Sequence, residues 1–338
     1  MHNPKQWWTS FGSAAVVAVV TALALIWVQN IVVGQAAVRR PRFATDFSPV
    51  FLQRELARLA SQPRQTLFLG DSVLWGYQLQ PDQTAIALLA AQGCACRNLA
   101  FKAGTPPNFY AMVRLMQQSG VHPQAVVLEI NQRAFNAEDR SYRTLHPALA
   151  ALAKPLFAAG DWAKLTTPAP EPSLPEPLES ALSSSWLLYG MRADVRAMLF
   201  GEGDSTPTQP ITPDLFLGTY DLTPLTSKNV AVYFLERTAR LLQSAHVRTV
   251  AFLTPTNHKL LHDYIDDPAY YANGRYLESL MARHGVSVVD LDRALPSEEF
   301  IDNDHLTPRG QRRLARFLAD MLRREGIFLP DGKADAPQ

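Results

Sequence analysis

The chain has 338 residues, with 32 Lys+Arg against 31 Asp+Glu and a formal net charge of +1, and 47% of it is hydrophobic. Those proportions exclude a disordered chain and argue against a nucleic-acid binder, which would carry a basic excess or a clustered basic face. Two cysteines exclude a disulfide scaffold and a four-thiolate zinc site.

The averages conceal an uneven N-terminus. From Phe11 to Gly34 no residue carries a charge, and Ala14 to Val28 is apolar apart from Thr21. A helix rising about 1.5 Å per residue through this stretch covers a hydrocarbon core of roughly 30 Å. Trp7, Trp8 and Trp27 stand near its ends, where amphipathic rings favour the interface. Residues 1–36 are therefore expected to form one N-terminal transmembrane anchor, a cleaved signal peptide or a buried core helix being the other readings. Lys5 lies before the segment and Arg39, Arg40 and Arg42 after it, which by the positive-inside rule leans toward a cytoplasmic C-terminal domain.

Beyond the anchor, residues 37–338 read as one domain. Phe51–Leu59 is expected to be a short amphipathic helix, followed by an apolar strand at Thr66–Leu69 and a turn at Gly70-Asp71-Ser72. Helices follow over Pro81–Gln92 and Asn108–Ser119, then a buried-type strand at Ala125–Ile130. Residues 139–227 hold 11 of the 25 prolines and read as an insertion, with a helix over Ala181–Leu199. A helix over Asn229–Ala245, a strand at Thr249–Leu253, a helix over Tyr270–His284, a strand at Val286–Asp290 and a helix over Pro308–Glu325 complete the pattern. Short apolar strands alternating with amphipathic helices predict an α/β fold with a mainly parallel sheet.

In such a sheet ligands gather beyond the carboxyl ends of the strands. Four polar positions fall there: Ser72 after the first strand, Gly104, Asn131 after Ile130, and Asp302 with His305 just before the last helix. A serine hydroxyl needs a base to remove its proton, and the base needs an orienting carboxylate. Asp302 and His305, three residues apart, supply the second requirement locally. The backbone N–H groups of Ser72 and Gly104, with the Asn131 amide, are candidates to hold a developing oxyanion.

Gly70-Asp71-Ser72, then a glycine, an asparagine and a late Asp302-x-x-His305 resemble the four sequence blocks of the SGNH (GDSL-type) hydrolase superfamily. The resemblance covers roughly residues 67–135 and 251–322. It implies a flavodoxin-like three-layer fold, Ser72 as nucleophile, His305 as base oriented by Asp302, and Ser72, Gly104 and Asn131 as oxyanion donors. Where the third block is usually written Gly-x-Asn-Asp, this chain reads Glu129-Ile130-Asn131-Gln132, which puts the setting of the oxyanion loop in question. An anchor joined to such a domain is similar to the envelope proteins that work beside membrane-bound O-acyltransferases in alginate and cellulose acetylation or teichoic-acid D-alanylation. That implies acyl transfer to a cell-envelope glycan or polymer, a multi-span acyltransferase partner, and a single-pass location with the domain outside the cytoplasmic membrane, against the charge count. An esterase of the same fold and a non-catalytic glycan-binding or partner-binding scaffold are the competing readings.

No cofactor is expected. His258 and His262 have the i, i+4 spacing of metal ligands, but Lys259 stands where a zinc protease carries glutamate, so they read as a rim cluster. Cys94 and Cys96 read as small semi-buried residues beside a strand. Lys102 and Arg133 read as exposed charges at strand ends or as contacts for an anionic substrate. Asp71 reads as turn chemistry, Asp304 as a loop ligand, and Arg312, Arg313, Arg316, Arg323 and Arg324 as a solvated helix face.

Overall fold

The computed structural model describes residues 16–31, 47, 49–166, 182, 186, 211–216 and 218–328. Five strands, β1 (Thr66–Leu69), β2 (Cys96–Asn98), β3 (Ala125–Ile130), β4 (Arg248–Leu253) and β5 (Ser287–Asp290), form one sheet in the order β2-β1-β3-β4-β5. All four pairings are parallel. This is the doubly wound order in which the direction of strand addition reverses between β1 and β3, and the crevice above that switch point is where such sheets bind ligands. Every residue of β1 and β3 is buried. Strands covered on both faces need continuous apolar runs, which explains why Thr-Leu-Phe-Leu and Ala-Val-Val-Leu-Glu-Ile are legible as strands without alternation.

Helices Ala85–Ala91 and Pro308–Arg324 pack against each other, while Pro106–Gln118 and Val230–Ser244 pack as a second pair, the latter also against Pro268–Ala282. The last helix buries Leu314, Ala315, Leu318, Ala319 and Leu322 along one stripe and holds arginines on the other. Arg313 departs from a purely solvated face: its Nε lies 2.8 Å from Glu299, whose side chain is fully buried.

The proline-rich stretch begins inside the core rather than outside it. Pro147 opens the helix Pro147–Ala153, and the Nδ1 of His146 accepts the Ala148 amide at its N-cap. Proline at the first helical position is pre-set for helix and sacrifices no bond. Leu145, Ala148, Leu149 and Ala153 are buried in the main cluster. Further on, Leu225 joins that cluster and Tyr220 packs in a smaller one with Leu261, Ile265 and Tyr270. Of the helix expected over Ala181–Leu199, all but residues 182 and 186 lie outside the described residues.

Residues 16–31 are helical, and nine large apolar side chains between Val16 and Ile31 are exposed. Among the described residues no helix is long and apolar enough to cross a membrane. Residues 1–15 and 32–36 of the expected anchor lie outside them.

Candidate active site

The nucleophile candidate follows β1 on a single helical turn, Ser72–Trp75. Asp71 caps that turn, its Oδ1 accepting the Val73 amide at 2.8 Å. Gly76 ends it in the left-handed region at φ 86°, a conformation that costs glycine little. Ser72 is therefore lifted to the rim of the sheet with its N–H among the first-turn amides that no helical carbonyl accepts.

The base candidate comes from a tight loop at the other end of the chain. Phe300 and Leu306 form an antiparallel bridge, and the Ile301 amide donates to the His305 carbonyl at 2.7 Å. Inside the loop Asp302 Oδ1 accepts the amides of Asp304 (3.2 Å) and His305 (2.9 Å), while Oδ2 meets His305 Nδ1 at 2.7 Å. Asn257, in the loop after β4, braces the same loop by donating to the Asp302 carbonyl at 3.0 Å.

His305 Nε2 then lies 2.8 Å from Ser72 Oγ. With Nδ1–H directed at Asp302, Nε2 is the nitrogen left to accept the serine proton. Burial would raise Asp302, yet the hydrogen bond and charge of His305 hold its carboxyl below the usual range. Burial would lower His305, but the Asp304 charge and the Asp302 hydrogen bond outweigh it and raise the imidazole above its ordinary value. Tyr77 covers the imidazole, with ring centroids 4.4 Å apart. Lys102 lies over the Trp75 and Tyr77 rings, at 4.7 and 5.5 Å from their centroids. The structure thus brings Ser72, His305 and Asp302 together.

The three expected oxyanion donors stand differently. The Gly104 N–H donates to the Phe101 carbonyl at 3.0 Å, closing a turn. Gly104 is a glycine for another reason: a Cβ there would overlap the Gly70 carbonyl, so the loops after β1 and β2 touch backbone to backbone. The Asn131 amide donates both its hydrogens to carboxylates, to Asp71 Oδ2 at 2.9 Å and Asp304 Oδ2 at 2.8 Å. The group that reaches Ser72 Oγ is Arg133, whose Nη2 lies 3.2 Å away.

Arg133 is only 17% exposed rather than a free strand-end charge. Its Nη2 also donates to Asp71 Oδ2 (3.3 Å), its Nη1 to Asp304 Oδ1 (3.2 Å), and its Nε faces Asp304 Oδ2 at 3.1 Å. Burial works against the guanidinium, but Asp304 and Asp71 more than compensate and hold it charged. Asp304 is thus the partner of a cation, and Asp71 does more than cap a turn. The signal in the sequence was an excess of acids, Asp71, Asp302 and Asp304, around one expected base; carboxylates that close need a second cation.

Glu129 explains the altered third block. Its carboxyl lies beneath Gly70, where a Cβ would collide with it. Oε2 accepts the Asp71 amide at 2.8 Å, and Oε1 accepts the Thr254 hydroxyl at 3.2 Å. Burial, reinforced by the Asp71 charge, pushes it well above the usual carboxylate range, so it holds its proton more tightly than a free glutamate where it joins the ends of β1, β3 and β4. A narrow crevice lies beside it, lined by Asp71, Gly104, Pro106, Phe109, Asn131 and Phe135 among others.

The remaining candidates are peripheral. His258 Nε2 pairs with Asp292 Oδ2 at 2.6 Å, while His262 is exposed beside Asp263. The two therefore have different partners. Cys94 is buried and Cys96 half-buried in β2, both as free thiols.

No protein-family model and no curated protein matches the chain. Solved structures do. A candidate lipolytic protein of the G-D-S-L family from Desulfitobacterium hafniense aligns over 76% of this chain and 98% of its own, with a TM-score of 0.38 and 9% identity. An acetylxylan esterase from Geobacillus stearothermophilus aligns over 78% and 95%, with a TM-score of 0.37 and 12% identity. A salicylyl-acyltransferase from a tetracycline biosynthetic pathway aligns over 80% of this chain and 58% of its own, with a TM-score of 0.37 and 12% identity. At this distance the chemistry has to be read from the chain's own side chains.

Proposed function

We propose that this chain is a serine acyl-transfer enzyme, anchored in the cytoplasmic membrane, that esterifies a cell-envelope glycan or polymer through an acyl-Ser72 intermediate. The observation that carries the reading is the continuous hydrogen-bonded chain Ser72 Oγ–His305 Nε2 (2.8 Å) and His305 Nδ1–Asp302 Oδ2 (2.7 Å) at the carboxyl end of a parallel sheet. Ser72 Oγ attacks the acyl carbonyl as its proton moves to His305 Nε2. The imidazolium, stabilised by Asp302, returns that proton to the departing oxygen. A glycan hydroxyl then attacks the acyl carbonyl as its proton passes to His305, and the imidazolium returns that proton to the departing Ser72 Oγ.

Anchoring is supported by the helix over residues 16–31. Its apolar side chains are exposed around the whole circumference, the pattern of a helix made for an apolar solvent rather than for one face of a core. An anchored domain is held near a membrane-bound O-acyltransferase that delivers the acyl group, with the acceptor on the outer side. Hydrolysis, in which water replaces the glycan, uses the same three residues.

The test is mass spectrometry of the full chain in detergent after brief exposure to an aryl acetate. One acetyl group on the Ser72 peptide, absent from S72A, is the expected result. Release of the phenol by S72A at the wild-type rate would refute it. Acetate delivered to an added glycan marks transfer, and acetate released only to water marks hydrolysis. A periplasm-active reporter fused after Gln338 tests the location.

A further inference from the structure

Resting on that acyl-transfer reading, we propose that Arg133 is a catalytic residue, the side-chain donor that stabilises the oxyanion, and that Asn131 is a positioning residue holding the carboxylates that aim it. When Oγ bonds to the carbonyl carbon, the displaced π pair settles on an oxygen bound to that same carbon. That oxygen lies about 2.3 Å from Oγ, as two oxygens on one tetrahedral carbon must. If the carbonyl is bound with that oxygen on the guanidinium side of Oγ, a donor already 3.2 Å from Oγ is within reach of it. Arg133 donates a hydrogen bond and transfers no proton; the Oγ proton goes to His305.

Three further observations support the assignment. The Asn131 amide has no hydrogen left to give, because both are directed at Asp71 and Asp304. Those two carboxylates also grip the guanidinium, which fixes its plane and leaves Nη2 directed at the serine. A charged donor in a half-dry site, preorganised by two acids, is stronger than the neutral amide it replaces. The same acid offsets the cation at the neighbouring imidazole, where Arg133 lowers the value and Asp304 raises it.

The experiment compares R133A, R133K and N131A in the full chain with an aryl acetate substrate and an arylboronic acid, which binds serine as a tetrahedral anion. Loss of one oxyanion donor costs about 10²–10³-fold in kcat. R133A is expected to lose that much with KM changed by no more than about threefold, and to lose boronate affinity in parallel. Guanidinium chloride should restore R133A activity saturably, and sodium chloride at equal ionic strength should not. N131A, with Arg133 still in place, should lose less than R133A and gain nothing from guanidinium.

R133A takes away the cation that Asp71 and Asp304 share and leaves them only the Asn131 amide in common, so R133K decides if R133A does not fold. A lysine ammonium is a point charge that cannot bridge both carboxylates and reach Ser72, so kcat should still fall by about tenfold or more. Wild-type kcat in folded R133K, unchanged boronate affinity in R133A, or a loss confined to KM would each overturn the assignment. Failure of the acyl-transfer reading is separately visible, as an S72A protein that keeps its activity.

Discussion

Gln311 is hydrogen-bonded to the residue next to the nucleophile: its Nε2 donates to the Val73 carbonyl at 2.8 Å, from a helix 238 residues away. Its Oε1 accepts the Ala85 amide at 2.8 Å, and the whole side chain is buried. One amide thus ties the serine turn, the helix Ala85–Ala91 and the helix that follows His305. Q311L removes two buried hydrogen bonds while keeping the volume. Each buried group left without a partner costs about 1–3 kcal/mol. Thermal unfolding should report the loss. Because the lost bonds set the separation of Ser72 and His305, kcat should fall while KM holds. Unchanged kcat in a destabilised Q311L protein would contradict this.

Gly70 and Glu129 occupy complementary space, so their variants should couple. G70A forces a methyl against the Glu129 carboxyl, and overpacking of this kind costs about 1–3 kcal/mol. E129A removes the nearest obstacle while Leu74 Cδ1 still crowds the methyl at 2.8 Å, so G70A/E129A should be less destabilised than the sum of the single variants. Denaturant unfolding of all four proteins measures the coupling, and strict additivity would be the contrary result.

The upward shift of the Glu129 carboxyl also has a signature in pH. Its folded value lies above the unfolded one, so above roughly pH 4.3 the unfolded chain loses a proton that the folded chain keeps. Stability from this group therefore declines as pH rises from that point. E129Q removes the dependence, and its Tm advantage over the natural chain should widen as pH rises from about 4.3 toward neutrality.

Activity needs His305 unprotonated at Nε2, and its value is raised above 6.5. The acid limb of kcat/KM should accordingly lie above 6.5, activity falling as pH drops through it. The imidazole faces Asp302 and Asp304 from its own loop, Arg133 from the turn after β3, and Ser72 and Tyr77 from the turn after β1. Asp304 raises the imidazole and Arg133 lowers it. D304N should therefore move the limb to lower pH, and a limb unmoved in D304N would count against this electrostatic account.

Phe47 packs into the core beside two other rings. Its ring stacks on His146 at 3.8 Å and meets Phe101 edge-on at 5.2 Å. On the anchoring proposed above, removal of residues 1–46 should release the protein from membranes. F47A in that shortened chain should lose about 3 kcal/mol, the low end for truncating a buried phenylalanine. Fractionation of cells and a thermal melt read both outcomes.

The strands most legible in the sequence are those buried on both faces, since an apolar run of four to six residues has few other uses. β2 escaped because Cys96-Arg97-Asn98 is polar; Arg97 is buried only because Glu55 accepts its Nε at 2.8 Å, from a helix 42 residues earlier. The helix Pro147–Ala153 escaped because prolines that start a helix and prolines that break one look alike in a composition count. Ser72, Asp302 and His305 could be read because a turn after a strand and an Asp-x-x-His before a helix are local patterns. Arg133 could not. Its place depends on carboxylates 62 and 171 residues away converging on one point, and only the sheet topology brings them there.

Ser72 and His305 lie 233 residues apart, and the two loops that carry them are joined through the helix Pro308–Arg324. During synthesis the serine emerges 233 residues before its base. A nascent chain that has completed β1 through β4 holds a nucleophile with no proton acceptor beside it. On the acyl-transfer reading proposed above, the chemistry would switch on only when the helix Pro308–Arg324 docks, and a chain interrupted before that point would be inert toward esters.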